Sequence, residues 1–324
     1  MKPVDPGTTS ILILGGSGFV GTTLVRRLLD RGHSVTLLNR GRSPVEGTEQ
    51  LVADRNDRGQ MSSAASRLGF VDAVIDTSCY LGSQAELAWE CFSPRTRRLV
   101  HLGSAAVYKE TPGRAPTEND EIGGAAVWGD YGRDKSAADA FLIEQRGPIP
   151  CAILRPPYLY GPGNDSDRET FVWSRALRGR KIVIPGDGMT PIQFLHVEDL
   201  ASAIICLLDA GFENTRVYNV AAAEKVTLSD YVARLSAICG AADPTGVLAG
   251  EHAGAFQPRQ YFPFRDYPCI VDTDRLKRDL DWEPSFDFAG GFRHTFERAQ
   301  PNTLATRTLD TTVEDAILAR VEGK

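Results

Sequence analysis

The first half of the chain alternates short apolar runs with stretches of helical periodicity. Residues 11–14 form an apolar run, and residues 19–30 then place valine and leucine at helical spacing before Gly32. The alternation continues with apolar runs at residues 35–38, 51–52, 71–75, 98–102 and 151–154, and with helical stretches at residues 61–68, 84–91 and 131–145. This order predicts a parallel sheet with helices on both faces, a doubly wound α/β fold.

The second half has a looser pattern, which proline and glycine punctuate after residue 155. Helices are predicted at residues 171–177, 197–208 and 227–239, with Thr227 as the cap of the last one. Residues 241–260 are rich in glycine and alanine and predict a loop, and the final residues predict a polar tail with one short helix.

Composition narrows the class of protein. The 324 residues carry 36 Lys and Arg against 42 Asp and Glu, a net charge of −6 that does not favour a nucleic-acid partner. Neither a membrane helix of about 20 apolar residues nor the apolar core of a signal peptide is found. The six cysteines form no CxxC pair, which indicates reduced thiols and no metal site. We therefore expect a cytoplasmic protein.

A glycine-rich segment, residues 15–21, stands between the first predicted strand and the first predicted helix. Its glycines fit both G-x-G-x-x-G and G-x-x-G-x-x-G. A pyrophosphate has to approach the N–H groups at a helix N-terminus, and side chains there would block it. A tight turn without a ligand is the alternative. We predict a dinucleotide site that is formed by Gly15, Gly18, Phe19, Val20 and Gly21.

The end of the second predicted strand indicates which dinucleotide binds. An acid at this position would bind the ribose diol of NAD, but the chain has Asn39, followed by Arg40 and Arg42. These residues favour NADP, whereas NAD stays possible if both arginines lie on a solvated loop. Asp54 is predicted to meet the adenine edge, or else to be an exposed loop carboxylate. Thr77, after the fourth strand, is a further cofactor candidate.

Two segments carry side chains suited to proton transfer. Tyr131 and Lys135 stand at i,i+4 in a predicted helix, on one face. Tyrosine has a pKa near 10, and proton transfer near neutrality requires a drop of about three units. One cation about 4 Å away, at an effective dielectric of about 20, supplies about that much. Ser104 follows the strand predicted at residues 98–102, where a hydroxyl can donate to a substrate oxygen.

With these motifs the sequence resembles the extended short-chain dehydrogenase/reductase family, in its NAD-dependent epimerase/dehydratase group. The resemblance covers about residues 10–295 and rests on the ordered segments 15–21, 104–108, 131–135, 155–162 and 196–199. It implies a Rossmann fold in which Ser104, Tyr131 and Lys135 are catalytic and Lys135 also holds the nicotinamide ribose. It further implies a homodimer.

The same resemblance implies a division of the chain. Residues 1–165 are expected to form the dinucleotide-binding domain, with return segments near residues 190–222. Residues 166–300 are expected to form mainly a smaller C-terminal lobe that binds the substrate over the cofactor. Residues 301–324 are left as a tail.

Departures from the family pattern concern the substrate. Dehydratases of the family carry Asp-Glu directly after the catalytic hydroxyl residue, where this chain has Ala105-Ala106, which disfavours 4,6-dehydration. The Asn that often contacts a diphosphate is replaced by Tyr158, and the Arg before the Val-x-Asp motif by Ile192 or Gln193. These replacements leave a simpler sugar or a nucleoside open beside a nucleotide sugar.

Other side chains are candidates for substrate contacts. Cys79 and Tyr80, after the fourth strand, would line the pocket near the nicotinamide or else pack in the core. Arg168, Arg259 and Arg265 would replace the missing phosphate ligands, or else lie on a solvated surface. The substrate candidates are therefore Cys79, Tyr80, Tyr158, Gln193 and Arg265.

The sequence thus predicts an enzyme that modifies a sugar, nucleotide sugar or nucleoside by hydride transfer at a carbinol carbon. It would be an epimerase or dehydratase that works through a transient ketone, or a ketoreductase. The alternative is a dinucleotide- or RNA-binding protein of the same fold without turnover. The complete Ser104, Tyr131 and Lys135 set and the net charge of −6 argue against that alternative.

Overall fold

The computed structural model describes residues 9–145, 147, 149–241 and 246–323. Most of the N-terminal segment used to judge a signal peptide lies outside these residues, as do residues 242–245 of the predicted loop. In chain order the first elements are β1 (Ser10–Leu14), α1 (Phe19–Asp30), β2 (Ser34–Asn39), β3 (Glu49–Val52), α2 (Arg58–Arg67), β4 (Ala73–Asp76), α3 (Gly82–Phe92), β5 (Leu99–Leu102), α4 (Gly129–Glu144) and β6 (Cys151–Arg155).

The remaining elements follow in the same order. They are β7 (Tyr158–Tyr160), α5 (Arg168–Ala176), β8 (Ile182–Ile184), β9 (Pro191–His196), α6 (Val197–Ala210), β10 (Arg216–Asn219), β11 (Lys225–Thr227), α7 (Leu228–Ile238), β12 (Gly246–Leu248), α8 (Asp274–Leu280), α9 (Phe288–Arg298), α10 (Pro301–Thr306) and α11 (Thr312–Val321). Among the described helices, none is both long and apolar enough to cross a membrane.

The first compact unit contains the residues up to 157, residues 197–221 and residues 271–283. Its sheet has seven parallel strands in the order β10-β6-β5-β4-β1-β2-β3. The chain order reverses at β1, so a crevice opens at the carboxyl ends of β1 and β4. The Ile11 to Leu14 run of β1 is buried, as expected for a strand covered on both faces. The predicted Rossmann-type α/β fold is confirmed.

The second compact unit contains residues 158–196, residues 222–270 and the chain from 284 onwards. It holds a sheet β11-β9-β7 and a pair β12-β8. Its core is aromatic: the ring of Phe194 stacks on Tyr231 at 5.2 Å and meets the rings of Phe264, Phe288 and Phe292 edge-on. The predicted Thr227 cap of α7 is confirmed, since its hydroxyl accepts a hydrogen bond from the Asp230 N–H.

Two predictions about this second unit are wrong. The predicted loop at 241–260 contains the short strand β12, and the polar tail has two helices, α10 and α11, where one was expected. The tail is anchored because Ile317 is buried and Glu314 forms a buried ion pair with Arg175. A mostly polar composition hides the few apolar side chains that hold such a segment in place.

Candidate active site

The glycine loop joins β1 to α1 at the carboxyl edge of the parallel sheet. A Cβ added at Gly21 would lie 2.6 Å from the backbone of Gly16, so the fold itself requires glycine there. Gly18 is different, because an added Cβ would meet no heavy atom of the described residues within 4 Å and its φ is −93°. Packing within the described part of the chain therefore does not require a glycine at position 18. A ligand at the N-terminus of α1 would explain it.

A cleft of about 420 Å³ lies beside this loop. Its lining includes many residues of the predicted cofactor set, namely Gly15, Asn39, Arg40, Arg42 and Asp54. Two other candidates, Phe19 and Val20, begin α1 and do not line this cleft. Thr77 lies under the loop, where its hydroxyl donates a hydrogen bond of 3.1 Å to the carbonyl of Leu14.

The turn after β2 presents the two arginines to the cleft. The Asn39 Oδ1 accepts hydrogen bonds from the Gly41 N–H at 2.8 Å and from the Gln50 Nε2 at 2.9 Å. Its side chain therefore shapes the turn, and Arg40 and Arg42 project exposed side chains beside it. Asp54 uses its Oδ1 in a local turn, where it accepts from the backbone N–H of Asn56 at 2.9 Å.

The three catalytic candidates occupy two neighbouring elements of the first unit. Ser104 follows β5, and its Oγ accepts a hydrogen bond of 3.2 Å from the Ala106 N–H. Tyr131 and Lys135 lie one turn apart on α4. A Cβ at Gly132 would come within 2.9 Å of the Ala106 carbonyl oxygen, so glycine lets the start of α4 approach the turn that carries Ser104.

Tyr131 and Lys135 differ sharply in exposure. The residue Tyr131 is 43% exposed, whereas Lys135 is 4% exposed. The Lys135 ammonium donates hydrogen bonds to the carbonyls of Cys79 at 2.8 Å and Leu102 at 2.6 Å. Burial lowers the pKa of Lys135, although the nearby Asp139 carboxylate opposes the shift. Lys135 is thus a buried ammonium that is held in place one helical turn from the partly exposed Tyr131.

Below Lys135, α4 carries a second buried charge. Asp139 is one turn further on, and it accepts a hydrogen bond of 2.8 Å from the Arg155 Nε. Its other oxygen lies 3.3 Å from the His101 Nε2. Burial raises the pKa of Asp139, but these neighbours hold it below its usual value. Asp139 could have been found from the sequence, because it follows Lys135 at i,i+4 on the same helix. Nothing in the sequence indicates that Arg155 pairs with it.

Three buried groups near Lys135 have the spacing of metal ligands. Donor atoms of Asp76, Cys79 and His101 lie within 4.8 Å of one another. Both Asp76 oxygens, however, accept hydrogen bonds from the Arg55 guanidinium. Burial and the Asp76 charge raise the pKa of Cys79 to about 12, which keeps its thiol protonated. The protein's own cation therefore occupies the position where a metal ion would neutralise Asp76.

Two of the substrate candidates lie in the first unit. Cys79 is buried, whereas Tyr80 is 57% exposed and also lines the cleft. The Tyr80 ring lies 6.3 Å from the Tyr131 ring and 5.8 Å from the Lys135 ammonium. The structure thus places Tyr80 next to the catalytic candidates.

The other three substrate candidates lie in the second unit. Gln193 is buried, and its Nε2 donates a hydrogen bond of 2.6 Å to the Ala222 carbonyl. Tyr158 is buried against Phe264, and the Arg168 guanidinium lies 4.7 Å from its ring centre.

Arg265 belongs to a group of three guanidinium side chains around Tyr158. Burial lowers the pKa of Arg259, and the positive charges of Arg168 and Arg265 lower it further. Arg168 and Arg265 thus lie close enough to Arg259 for their charges to act on it. Such crowding favours an anion at this place.

A comparison with known protein families assigns the chain to one of them. The sequence model of the NAD dependent epimerase/dehydratase family matches residues 11–221. The chain therefore belongs to the NAD-dependent epimerase/dehydratase family.

Individual relatives differ in what their names describe. The chloroplast stem-loop binding protein of 41 kDa b from Arabidopsis thaliana is 27% identical over 326 aligned positions. The match covers 96% of this chain and 84% of the relative. A dTDP-4-dehydro-6-deoxy-D-allose reductase from Streptomyces bikiniensis is 27% identical over 312 residues, 85% of this chain and 91% of the relative. The fold matches dTDP-glucose 4,6-dehydratase from Bacillus anthracis, solved in complex with NAD, with a TM-score of 0.75, 18% identity, and coverage of 91% and 97%.

Proposed function

We propose that this protein is a nicotinamide-dependent enzyme that transfers hydride at a carbinol carbon of a sugar or nucleotide sugar. The observation that carries the proposal is the arrangement of Tyr131 and Lys135 on one face of α4, whose first turn packs on the segment after Ser104. An accessible phenol, a buried ammonium and a neighbouring hydroxyl are the groups that proton transfer at a carbinol oxygen requires.

Each residue has a separate role in this proposal. Tyr131 takes the proton from the carbinol hydroxyl when the carbon is oxidised, and it returns the proton when the ketone is reduced. Ser104 donates a hydrogen bond to the same oxygen. Lys135 supplies the positive charge that stabilises the tyrosinate. A bound nicotinamide supplies the hydride acceptor or donor.

The loop and the cleft fit a dinucleotide. Gly18 leaves room for a phosphate at the N-terminus of α1, and the cleft of about 420 Å³ is large enough for an adenosine. We propose that Gly15, Gly18 and Gly21 contact the phosphates and that Thr77 supports the loop through its hydrogen bond to Leu14. Arg40 and Arg42 would bind the 2′-phosphate, so NADP is the preferred cofactor.

Within this class of substrates, we propose one that carries a phosphate or diphosphate, such as a nucleotide sugar. The crowded cations Arg168, Arg259 and Arg265 of the second unit support this, because they stand in a chain that lacks the usual diphosphate ligands. Tyr80 is proposed to contact the reacting end of the substrate, since it adjoins Tyr131. The homodimer and the cytoplasmic location stay predictions.

Removal of one oxygen atom tests the proposal. Tyr131→Phe should lower turnover by about 10²- to 10⁴-fold, because a general acid/base is lost, and dinucleotide binding should stay intact. Tyr218→Phe is the matched control, since Tyr218 lies on β10, its hydroxyl is 3.3 Å from Asp279 of α8, and it takes no part in the mechanism. Unchanged turnover in Tyr131→Phe would refute the assignment.

The use of the cofactor separates the possible reactions. The purified protein would be denatured, and any released dinucleotide identified by absorbance and mass. A near-stoichiometric yield indicates an enzyme that restores its cofactor in each turnover, an epimerase or dehydratase. An empty protein that binds NADPH reversibly indicates a reductase.

A further experiment tests the RNA-binding alternative, which is relevant because the relative from Arabidopsis is named a stem-loop binding protein. Retention of a stem-loop RNA on a filter, lost at higher salt, together with unchanged stem-loop binding in Tyr131→Phe, would support that alternative. The net charge of −6 and the complete catalytic set favour the enzyme.

A further inference from the structure

Arg55 lines the dinucleotide cleft but stood outside the residues that the sequence singled out. It follows Asp54 after β3, and only 13% of its side chain is exposed. Its Nη1 and Nη2 donate hydrogen bonds of 2.8 Å each to the two carboxylate oxygens of Asp76. Its Nη1 also donates to the Ser78 Oγ at 2.6 Å. The guanidinium is therefore held in one plane at the wall of the cleft.

The partner carboxylate explains why this guanidinium is fixed. Asp76 ends β4 and is 2% exposed, and an unpaired carboxylate at that depth would be strongly destabilising. Burial raises the pKa of Asp76, but Arg55 holds it below its usual value. A side chain that is already immobilised loses little conformational entropy when a ligand binds to it. Arg55 is thus preorganised.

Position distinguishes Arg55 from the other two arginines of the cleft. Arg40 and Arg42 are exposed, whereas Arg55 contacts Ser78, whose hydroxyl donates to the Leu14 carbonyl at 3.2 Å. A Cβ added at Gly15 would come within 2.7 Å of the Ser78 Oγ. One hydroxyl group therefore separates Arg55 from the start of the glycine loop, where a phosphate would bind.

The hydrogen bonds of Arg55 are also incomplete. Its Nε is buried and has no hydrogen-bond partner among the residues that the structure describes. A buried donor without a partner is unfavourable. The part of the side chain that is exposed at the wall of the cleft and this unsatisfied N–H both point to an anionic ligand.

We infer that Arg55 binds a phosphoryl oxygen of the dinucleotide, with Asp76 as the positioning residue that holds the guanidinium in the cleft. The inference rests on the dinucleotide binding of the proposed function. The oxygen can belong to the pyrophosphate, which NADH and NADPH share, or to the 2′-phosphate of NADPH. Arg55 is in either case a cofactor contact that is deeper than Arg40 and Arg42.

Binding constants of NADH, NADPH and adenosine test the inference. Arg55→Met should weaken a dinucleotide about ten- to a hundredfold, the loss expected for one charge-assisted hydrogen bond, with adenosine changed less than about threefold. Equal losses for NADH and NADPH assign the pyrophosphate, and a loss for NADPH alone assigns the 2′-phosphate. Arg58→Met is the matched control, since Arg58 is exposed and paired with Glu90 outside the cleft.

Asp76 variants separate ligand binding from a purely structural ion pair. Asp76→Asn keeps one oxygen that accepts from the guanidinium, so Arg55 stays positioned while the neutralising charge is removed, and dinucleotide affinity should stay or rise while Arg55→Met lowers it. If Arg55→Met does not fold, the double variant Arg55→Met, Asp76→Asn removes both charges and should still bind weakly. Equal effects of the two single variants, or wild-type affinity in folded Arg55→Met, would overturn the inference. A wild-type protein that binds neither dinucleotide would overturn the proposed function, and the inference with it.

Discussion

The glycine at position 18 gives the sharpest test of the dinucleotide site. An alanine at Gly18 would place its Cβ in open space, whereas an alanine at Gly21 would force that atom to 2.6 Å from the backbone of Gly16. We therefore expect the two substitutions to separate stability from ligand binding. Gly18→Ala should leave the folded protein intact and block the approach of a phosphate, and Gly21→Ala should damage the fold itself.

The magnitudes follow from these contacts. At Gly18 the weaker N-cap preference of alanine and the lower entropy of the unfolded chain are each below about 1 kcal/mol and oppose each other, so the free energy of unfolding should change by less than about 1 kcal/mol. Overpacking at Gly21 should lower it by about 1–3 kcal/mol. The loss of one hydrogen bond to phosphate in Gly18→Ala corresponds to about 1.5–3 kcal/mol, or about a 10- to 150-fold higher Kd.

Two measurements on the same samples decide the matter. Urea unfolding gives the free energy of unfolding, and a fluorescence titration gives the Kd for NADPH and NADH. We predict that the Gly18→Ala protein has nearly wild-type stability and has lost affinity for both dinucleotides. Wild-type affinity in this variant would refute the prediction, because the glycine would then have no ligand to accommodate.

Two further predictions concern cofactor choice and pH. Arg40→Ser with Arg42→Ser should raise the Kd for NADPH by tenfold or more relative to that for NADH, since only NADPH carries the 2′-phosphate; equal changes in both Kd values would contradict the NADP preference. Burial raises the pKa of Glu169 from an ordinary value of 4.5 to about 7, so the folded state keeps a proton that the unfolded state releases. Stability should accordingly fall as the pH rises between those values, by about 3 kcal/mol in total, and Glu169→Gln should flatten this part of the urea-unfolding profile; an unchanged slope would count against the buried carboxyl.

The sheet and the glycine loop could be predicted because local pattern determines them. The strands β1, β2, β4, β5 and β6 are short runs of mainly apolar residues, and a run that is apolar on both faces has few other places in a fold. Short elements of the second unit escaped prediction. In β12 the sequence Gly246-Val247-Leu248 is too short for any periodicity, and it becomes a strand only by pairing with β8.

Pairs that are distant in sequence could not be predicted at all. Asp76 forms its ion pair 21 residues away from Arg55, and Glu314 lies 139 residues beyond Arg175. A single sequence shows each of these residues only as a charged side chain, and the expected place of a charged side chain is the surface. Only the three-dimensional structure shows that these charges are buried together.

The buried ion pairs of the first unit are of two kinds. In one kind the charged groups are paired wholly within the fold, and in the other a polar group stays available for a ligand. The Arg155 guanidinium donates to Asp139 and to the Tyr108 hydroxyl, and this network lies wholly inside the first unit. Arg55 is equally well paired, yet part of its side chain is at the wall of a cleft and its Nε lacks a partner in the described structure. Gly18 and Arg55 share one property, because contacts within the described structure explain neither residue completely. Gly18 precedes α1 just after β1, and Arg55 is paired with Asp76 at the end of β4. A phosphorylated dinucleotide bound at the carboxyl ends of these two strands accounts for both residues at once.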